Sequence, residues 1–300
     1  MSSIVTKKIN NIKVKAVPVI HPPDTRPVLG EKLFSIVNSN TFMCAKRGSG
    51  KTSVIYKAID ECANKDTKVI AISGSMNNDK SWLAIQRLCE KKKISLETYT
   101  SIWDDEGDNV LEILTNKLKA LNEGKETEEE EEDGFSGSLE ESLEFVPTGG
   151  IDIFGMPTKG SGPSKSKKRR SKYQSPAWLL ILDDIPNELK NSYVTAALKL
   201  FRHWGKIIIS SQSVNDLSKS GRNQLDYVIL FRGMPVEKLE EIWRACALPI
   251  TMDQFEAMYN FATREKYQFL YVDTANNEYR KNFSEMIEIP PPIPSLKRRR

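Results

Sequence analysis

Residues 42–58, FMCAKRGSGKTSVIYKA, decide the fold of this 300-residue chain. Within them, residues 45–52 read AKRGSGKT, the phosphate-loop pattern with alanine in place of the first glycine. Gly48 and Gly50 allow the backbone to curl, so that its N–H groups converge on phosphate oxygens. An apolar run precedes the loop and a run with helical periodicity follows it. This strand–loop–helix order is the context in which such a loop binds phosphate.

The end of the loop carries the polar groups that would hold a nucleotide. Lys51 would reach the β- and γ-phosphates, and the Thr52 hydroxyl would bind Mg²⁺. The alternative is a Gly/Ser-rich turn with an exposed lysine, which the flanking strand and helix disfavour. We therefore predict that Gly48, Ser49, Gly50, Lys51 and Thr52 bind the cofactors ATP and Mg²⁺.

Two carboxylates follow an apolar run in the stretch LLILDDI, residues 179–185. Asp183 would end a buried strand and hold the Mg²⁺ shell, while Asp184 would be catalytic and polarise the attacking water. The alternative is a pair of N-cap residues after a core strand, a position that also favours aspartate. The phosphate loop in the same chain favours the catalytic interpretation.

A third strand-like run, IIISSQS at 207–213, ends in consecutive polar residues. In an additional-strand ATPase this strand lies between the strands of the phosphate loop and of the carboxylates. Gln212 would then point at the γ-phosphate and sense hydrolysis, since ligands bind at the carboxyl ends of such strands. A simple polar turn is the alternative.

Residues 218–233, SKSGRNQLDYVILFRG, put Arg222 in a polar loop and Arg232 at the end of a strand. An arginine that reaches the γ-phosphate of a neighbouring subunit accelerates hydrolysis by about 10³ to 10⁵. Either arginine could instead be an ordinary surface charge. We prefer Arg222 as the catalytic arginine supplied in trans, because loop residues can reach across an interface.

The sequence favours ATP over GTP. ANKD at 63–66 has the letters of a guanine-reading motif, but it ends the first helix rather than following a late strand. DDEG at 104–107 has no apolar strand ahead of it.

Strand-like and helix-like runs alternate along the chain, which predicts an α/β protein with a mostly parallel central sheet flanked by helices. The predicted strands are 12–20, 39–45, 67–73, 177–184, 206–212, 226–232 and 267–273, with a closing run at 279–288. The predicted helices are 53–64, 79–91, 108–122, 188–203, 235–246 and 251–264.

Charge and composition divide the chain into segments. Residues 123–176 are acidic, then Gly/Pro/Ser-rich, then basic, with too little apolar content to offset the entropy of ordering, so we predict a disordered surface insertion. It would interrupt an ATPase domain at 31–289, between an N-terminal strand or arm at 1–30 and a Pro-rich basic tail at 290–300. The basic stretches at 165–172 and 297–300 could contact DNA phosphates, act as a nuclear address or remain solvated.

The composition excludes several classes of protein. The chain is 39% hydrophobic and 28% charged, and it has no apolar run long enough to span a membrane, so we expect a soluble protein with no membrane partner. The first 15 residues lack the apolar core of a secretory signal. The four cysteines show no CxxC spacing, which fits buried thiols in a reducing intracellular compartment.

Four motifs in this order, AKRGSGKT, LLILDDI, IIISSQS and GRNQLDYVILFR, resemble the viral genome-packaging ATPases of the FtsK/HerA superfamily, in the poxvirus-type branch found in large DNA viruses and virophages. The closing YQFLYVDT and YRKNF are similar to that branch's C-terminal strands. The resemblance runs from about 31 to 289, interrupted by the insertion.

The resemblance implies a RecA-like additional-strand P-loop NTPase core that forms a homo-oligomeric ring and drives double-stranded DNA into a capsid. Double-stranded DNA and viral capsid proteins would be the partners. The implied location is intracellular in an infected host cell, in a viral factory or the nucleus, with association with the virion left open.

Other functions share parts of this motif set. A replicative DNA helicase has the same loop and carboxylate pair, and a P-loop kinase of nucleosides or other small molecules has the same loop. A binding module whose ATPase only switches conformation is a further alternative, with the insertion as its docking element. A tailed-phage terminase is disfavoured, because about 70 residues after the last core strand are too few for a nuclease domain.

Overall fold

The sheet is the frame that brings the motifs together. The computed structural model describes residues 24–76, 79–104, 106–122 and 171–290. The strand predicted at 12–20, most of the predicted insertion (123–170) and the tail from 291 lie outside the described residues.

Within the described part of the chain, nine strands form one sheet in the order β3-β2-β4-β5-β1-β6-β7-β8-β9. The first six strands in this order are parallel, and β7, β8 and β9 extend the sheet in antiparallel fashion. The predicted α/β fold with a mostly parallel sheet is therefore confirmed. The strands are β1 Asn40–Cys44, β2 Lys68–Ser73, β3 Ser95–Tyr99, β4 Trp178–Asp183, β5 Gly205–Ser211, β6 Tyr227–Phe231, β7 Phe269–Asp273, β8 Glu278–Lys281 and β9 Glu285–Met286.

Helices cover both faces of the sheet, which is why the central strands are apolar along their whole length. The helices are α1 Lys51–Cys62, α2 Lys80–Lys92, α3 Val110–Asn122, α4 Ser192–Phe201, α5 Lys219–Arg222, α6 Val236–Ala245 and α7 Met252–Ala262. Side chains of successive strand residues alternate between two cores: Phe42 joins the core under α3, α4, α6 and α7, and Met43 joins the core under α1 and α2. None of the helices in the described ranges is long and apolar enough to cross a membrane.

Strand β5 lies between β1 and β4, as the additional-strand interpretation predicts. The register aligns the carboxyl ends of these strands: Cys44 pairs with Ser211, and Asp183 pairs with Ser210. The phosphate loop, the carboxylates and the polar residues after β5 therefore lie side by side at the carboxyl ends of the parallel strands, which we call the carboxyl edge of the sheet.

The structure departs from the sequence prediction in three places. Strand β3 was not predicted, because SLETY has little apolar content and lies at the edge of the sheet. The closing run forms two strands, β8 and β9, instead of one element. Residues 171–176, which we assigned to the insertion, belong with the folded chain: Gln174 bridges to Val28 and donates through Nε2 to the carbonyl oxygens of Asp24 and Arg26.

Candidate nucleotide-binding site

The phosphate loop leaves β1 at Cys44 and enters α1 at Lys51. Gly48 and Gly50 have φ of 74° and 99°, in the left-handed region that favours glycine. Ser49 folds back on the loop, with its N–H and its hydroxyl both donating to the carbonyl oxygen of Lys46, at 3.3 and 2.6 Å. The loop therefore has the curled backbone that the glycines predict.

Ala45 occupies the position where the phosphate-loop pattern has its first glycine. The residue is buried, and its N–H donates to the carbonyl oxygen of Ser211 at 2.9 Å, which continues the β1–β5 ladder by one residue. Ala45 is not among the described residues with positive φ. An alanine methyl group therefore fits in the core at this position without backbone strain.

Lys51 is the positively charged residue of the site, and two acidic residues lie close to it. Its ammonium group lies 3.2 Å from Oδ1 of Asp183 and 3.7 Å from Oδ1 of Asp184. The Lys51 side chain is only 16% exposed, so its charge acts where water screens it weakly. The structure thus brings together three residues that the sequence assigned to phosphate binding, metal binding and catalysis.

Asp183 is almost fully buried at the end of β4. Burial raises the pKa of its carboxyl group, and the charge of Lys51 opposes that rise. Its contact with Lys51 is an ion pair without directed hydrogen-bond geometry, and Oδ1 of Asp183 has no hydrogen-bond partner in the described part of the protein. A buried carboxylate oxygen with free acceptor capacity is suited to a cation.

Asp184 directly follows β4, and its backbone conformation differs from the extended conformation of the strand. Its φ is 57°, a left-handed conformation that aspartate and asparagine adopt more readily than most residues. The chain after β2 approaches this position closely, since a methyl group added at Gly74 would lie 3.2 Å from the carbonyl oxygen of Asp184. The side chain is 44% exposed. It therefore faces both Lys51 and solvent, where an attacking water must be held.

Asp79, which the sequence analysis did not single out, contributes a third carboxylate. It is the N-cap of α2, and its Oδ1 accepts from the N–H of Ser81 at 2.8 Å. The hydrogen bonds from Ser81 lower the pKa of Asp79 against the opposing effect of burial, and the nearby Thr52 hydroxyl and the charge of Lys51 lower it further. The signal in the sequence is an N-cap aspartate in the loop after β2, the strand next to β4.

The donor set fits Mg²⁺. Asp183 and Thr52 supply a carboxylate and a hydroxyl oxygen, and Asp79 lies beside the hydroxyl. No group of three or more His, Cys, Asp or Glu side chains suited to a metal occurs in the described ranges. Mg²⁺ is commonly held by one or two carboxylates together with substrate phosphates and water, so a small protein donor set matches its coordination.

Gln212 lies directly after β5, at the same sheet edge as the phosphate loop. Its side chain is exposed, and its backbone carbonyl accepts from Nζ of Lys238 on α6 at 2.8 Å. The structure therefore brings Gln212 to the edge where the sequence analysis expected it. Its assignment as a sensor stays a prediction.

Arg222 lies apart from this cluster. It ends the short helix α5, where the sequence analysis expected a loop, and its guanidinium donates to Oδ1 of Asn215 at 2.5 Å. It lines a cavity of about 470 Å³ together with basic and acidic side chains of α5 and α6. No described contact joins Arg222 to Lys51, Asp183 or Asp184. The acidic and basic residues of the cavity are Lys219, Arg222, Glu237, Glu240, Glu241 and Arg244.

Comparison with known proteins finds similarity in chain path at low sequence identity. No family model and no curated protein matches the chain. The DNA-packaging ATPase B204 from Sulfolobus turreted icosahedral virus is 17% identical at a TM-score of 0.46, with 81% of this chain and 95% of that chain covered.

Two further solved structures are similar at lower sequence identity and lower TM-score. The conjugation coupling protein TcpA of pCW3 is 12% identical at a TM-score of 0.42, over 78% of this chain and 57% of that chain. The cytoplasmic domain of the type VII secretion ATPase EccC of Thermomonospora curvata is 12% identical at 0.41, over 78% and 24%. Because each score is below 0.5, none of these similarities carries a functional conclusion.

Proposed function

We propose that this chain is an ATP-driven translocase of double-stranded DNA that packages a viral genome into a capsid. The observation that carries ATP hydrolysis is the cluster at one sheet edge, where Lys51 contacts both Asp183 and Asp184. The resemblance of the four ordered motifs to packaging ATPases directs that hydrolysis to DNA.

Each residue of the cluster would have its own role in hydrolysis. Backbone N–H groups of the curled loop, with the amino-terminal end of α1, would hold the phosphates, and Lys51 would bind the β- and γ-phosphates. Asp183 and Thr52 would hold Mg²⁺, which would neutralise negative charge on the phosphates. Asp184 would accept a hydrogen bond from the attacking water and orient it towards the γ-phosphate.

Coupling to DNA requires more than one subunit in this proposal. Arg222 lies outside the phosphate cluster of its own chain, which suits an arginine that serves the neighbouring subunit in a ring. Gln212 would transmit the state of the γ-phosphate through β5 and α6, since its carbonyl is bonded to Lys238. The ring would act inside an infected host cell and dock on capsid protein.

The test is the ATPase rate against double-stranded DNA concentration at several salt concentrations. We expect stimulation by DNA that weakens as salt rises, because contacts with the DNA backbone release counterions. Lys51→Ala and Asp184→Asn should abolish the stimulated rate. Lys57→Ala, an exposed lysine of the same helix, and Asp108→Asn, an exposed aspartate, are the matched controls.

Hydrolysis that is indifferent to DNA at every salt concentration would contradict the translocase. A requirement for a small phosphoryl acceptor would point to a kinase. Separation of the strands of a forked duplex would point to a helicase.

A further inference from the structure

We propose that Tyr267 is the platform on which the base of the bound nucleotide stacks. This inference rests on the proposed function, because it takes the phosphate loop as the site of the triphosphate. It adds a residue that selects a nucleoside triphosphate over a bare polyphosphate.

The order of the strands determines the direction in which the base must lie. On one side of β1 are β5 and β4, which carry Gln212, Asp183 and Asp184. The γ-phosphate must face these groups if they are to act on it. The ribose and base, at the other end of the nucleotide, must therefore leave the phosphate loop on the side of β6 and β7.

Tyr267 lies on that side. Strand β7 runs antiparallel to β6 and pairs Phe269 with Phe231, so the start of β7 lies at the carboxyl end of β6. Tyr267 precedes this pair by two residues in the connection from α7. A methyl group added at Gly50 would lie 3.3 Å from Cδ1 of Tyr267, which puts the ring against the end of the phosphate loop.

The ring is both available and held in position. The residue is 58% exposed, whereas tyrosine side chains are more often partly buried. Its φ of 69° is a left-handed conformation that is costly for a bulky residue, so the surrounding structure must fix it. Nζ of Lys266 lies 4.8 Å from the ring centroid, which adds positive charge beside a polyanionic ligand.

An exposed aromatic ring binds a base by stacking, and this interaction tolerates any base because each has a π-face. Tyr267 would thus strengthen binding of nucleoside triphosphates without distinguishing adenine from guanine by hydrogen bonds. The phenol hydroxyl is dispensable in this role, so phenylalanine should replace tyrosine.

The experiment measures binding of two probes, ATP and inorganic tripolyphosphate, by titration calorimetry in the presence of Mg²⁺. We expect Tyr267→Ala to weaken ATP binding about tenfold or more and to leave tripolyphosphate binding unchanged, since only ATP has a base to stack. Tyr267→Phe should bind both probes as the wild type does. Unchanged tripolyphosphate binding also shows that the phosphate loop remains folded in the variant.

Tyr173→Ala is the matched control. Tyr173 is also an exposed tyrosine after a lysine, with Nζ of Lys172 at 5.7 Å from its ring, but it precedes the amino-terminal end of β4 at the opposite sheet edge. The inference is overturned if Tyr267→Ala binds ATP as tightly as the wild type, or if its affinities for ATP and tripolyphosphate fall equally. If the wild type binds neither probe, the proposed function fails together with this inference. If only DNA binding falls in Tyr267→Ala, the ring contacts DNA and the inference is wrong.

Discussion

The carboxylate of Asp79 lies beside the hydroxyl of Thr52, which helps to lower the pKa of Asp79. A hydroxyl has one hydrogen and two lone pairs, so Thr52 can direct its hydrogen at Asp79 and keep both lone pairs free to bind a cation. In this arrangement Asp79 orients a metal ligand. Such indirect partners commonly change metal affinity by about 10- to 100-fold.

We expect Asp79→Asn to raise the Mg²⁺ concentration needed for half-maximal ATP hydrolysis by about tenfold. Asparagine caps a helix as well as aspartate does, so α2 should remain intact and the melting temperature should stay close to that of the wild type. Asp104→Asn is the control, since Asp104 also accepts backbone N–H groups in a loop but has no described contact with Thr52. An unchanged Mg²⁺ dependence would assign Asp79 to capping alone.

The positive φ of Asp184 predicts a difference between two variants that both lack the carboxylate. Asp184→Gly and Asp184→Ala should hydrolyse ATP equally slowly. The free energy of unfolding of Asp184→Ala should nevertheless be lower than that of Asp184→Gly by about 1 kcal/mol, because a β-carbon is strained in the left-handed region. Urea unfolding of the two variants measures this difference. Equal stability would mean that the turn relaxes when Asp184 is replaced.

Much of this site could be predicted from the sequence because its motifs are local. AKRGSGKT and LLILDDI each contain the strand end and the polar residue that follows it, so the parallel sheet brought Lys51 to Asp183 without further information. The position of β5 between the two motif strands was predicted from the strand order of additional-strand ATPases, and the structure confirms it.

The other features of the site and the fold depend on tertiary contacts, which a local sequence pattern cannot predict. Asp79 lies beside Thr52 because α2, which it caps, packs against α1. Tyr267 reaches Gly50 because β7 is antiparallel to β6, a reversal that strand periodicity cannot indicate. Strand β3 was missed since an edge strand needs few apolar residues.

Lys206 is a buried lysine at the amino-terminal part of β5, and it predicts a pH dependence of stability. Its Nζ donates to the carbonyl oxygen of Ile36 and to Oγ of Ser39, and lies 4.7 Å from the ring centroid of Phe34. Burial lowers the pKa of Lys206 to about 8, and the nearby Cys62 and Asp226 act in the opposite direction.

Between about pH 8 and the unfolded value of about 10.4, the unfolded chain binds a proton at Lys206 that the folded chain does not. The contribution of Lys206 to the free energy of unfolding therefore rises with pH across this window, by up to about 3 kcal/mol. We expect the difference in unfolding free energy between wild type and Lys206→Met to change by this amount in favour of the wild type as pH rises.

The difference between the two proteins is the quantity to measure, because buried thiols act in the opposite sense. Burial raises the pKa of Cys62 to about 11, so its contribution to stability falls as pH rises above the ordinary thiol value. Burial is the largest cause of this shift and is present in both proteins, so most of the fall cancels in the difference. Denaturant unfolding at pH 7, 8, 9 and 10 provides the comparison. A difference that is constant with pH would show that Lys206 keeps its charge in the folded protein.

The separation of Arg222 from Lys51 predicts that two inactive variants can restore each other. Arg222→Ala should lower turnover by about 10³ if the arginine acts in trans, and Lys51→Ala should abolish it. In a random 1:1 mixture, about a quarter of the interfaces in a ring join an intact phosphate loop to an intact arginine. We therefore expect the mixture to hydrolyse ATP far faster than either variant alone.

Arg244→Ala is the control for this mixing experiment, because Arg244 lines the same cavity but pairs with Glu240 on its own helix. It should leave turnover near the wild-type rate. A mixture no faster than the average of its two components would contradict catalysis in trans. In that case the hydrogen bond from Arg222 to Asn215 would have a structural role, holding α5 against the loop after β5.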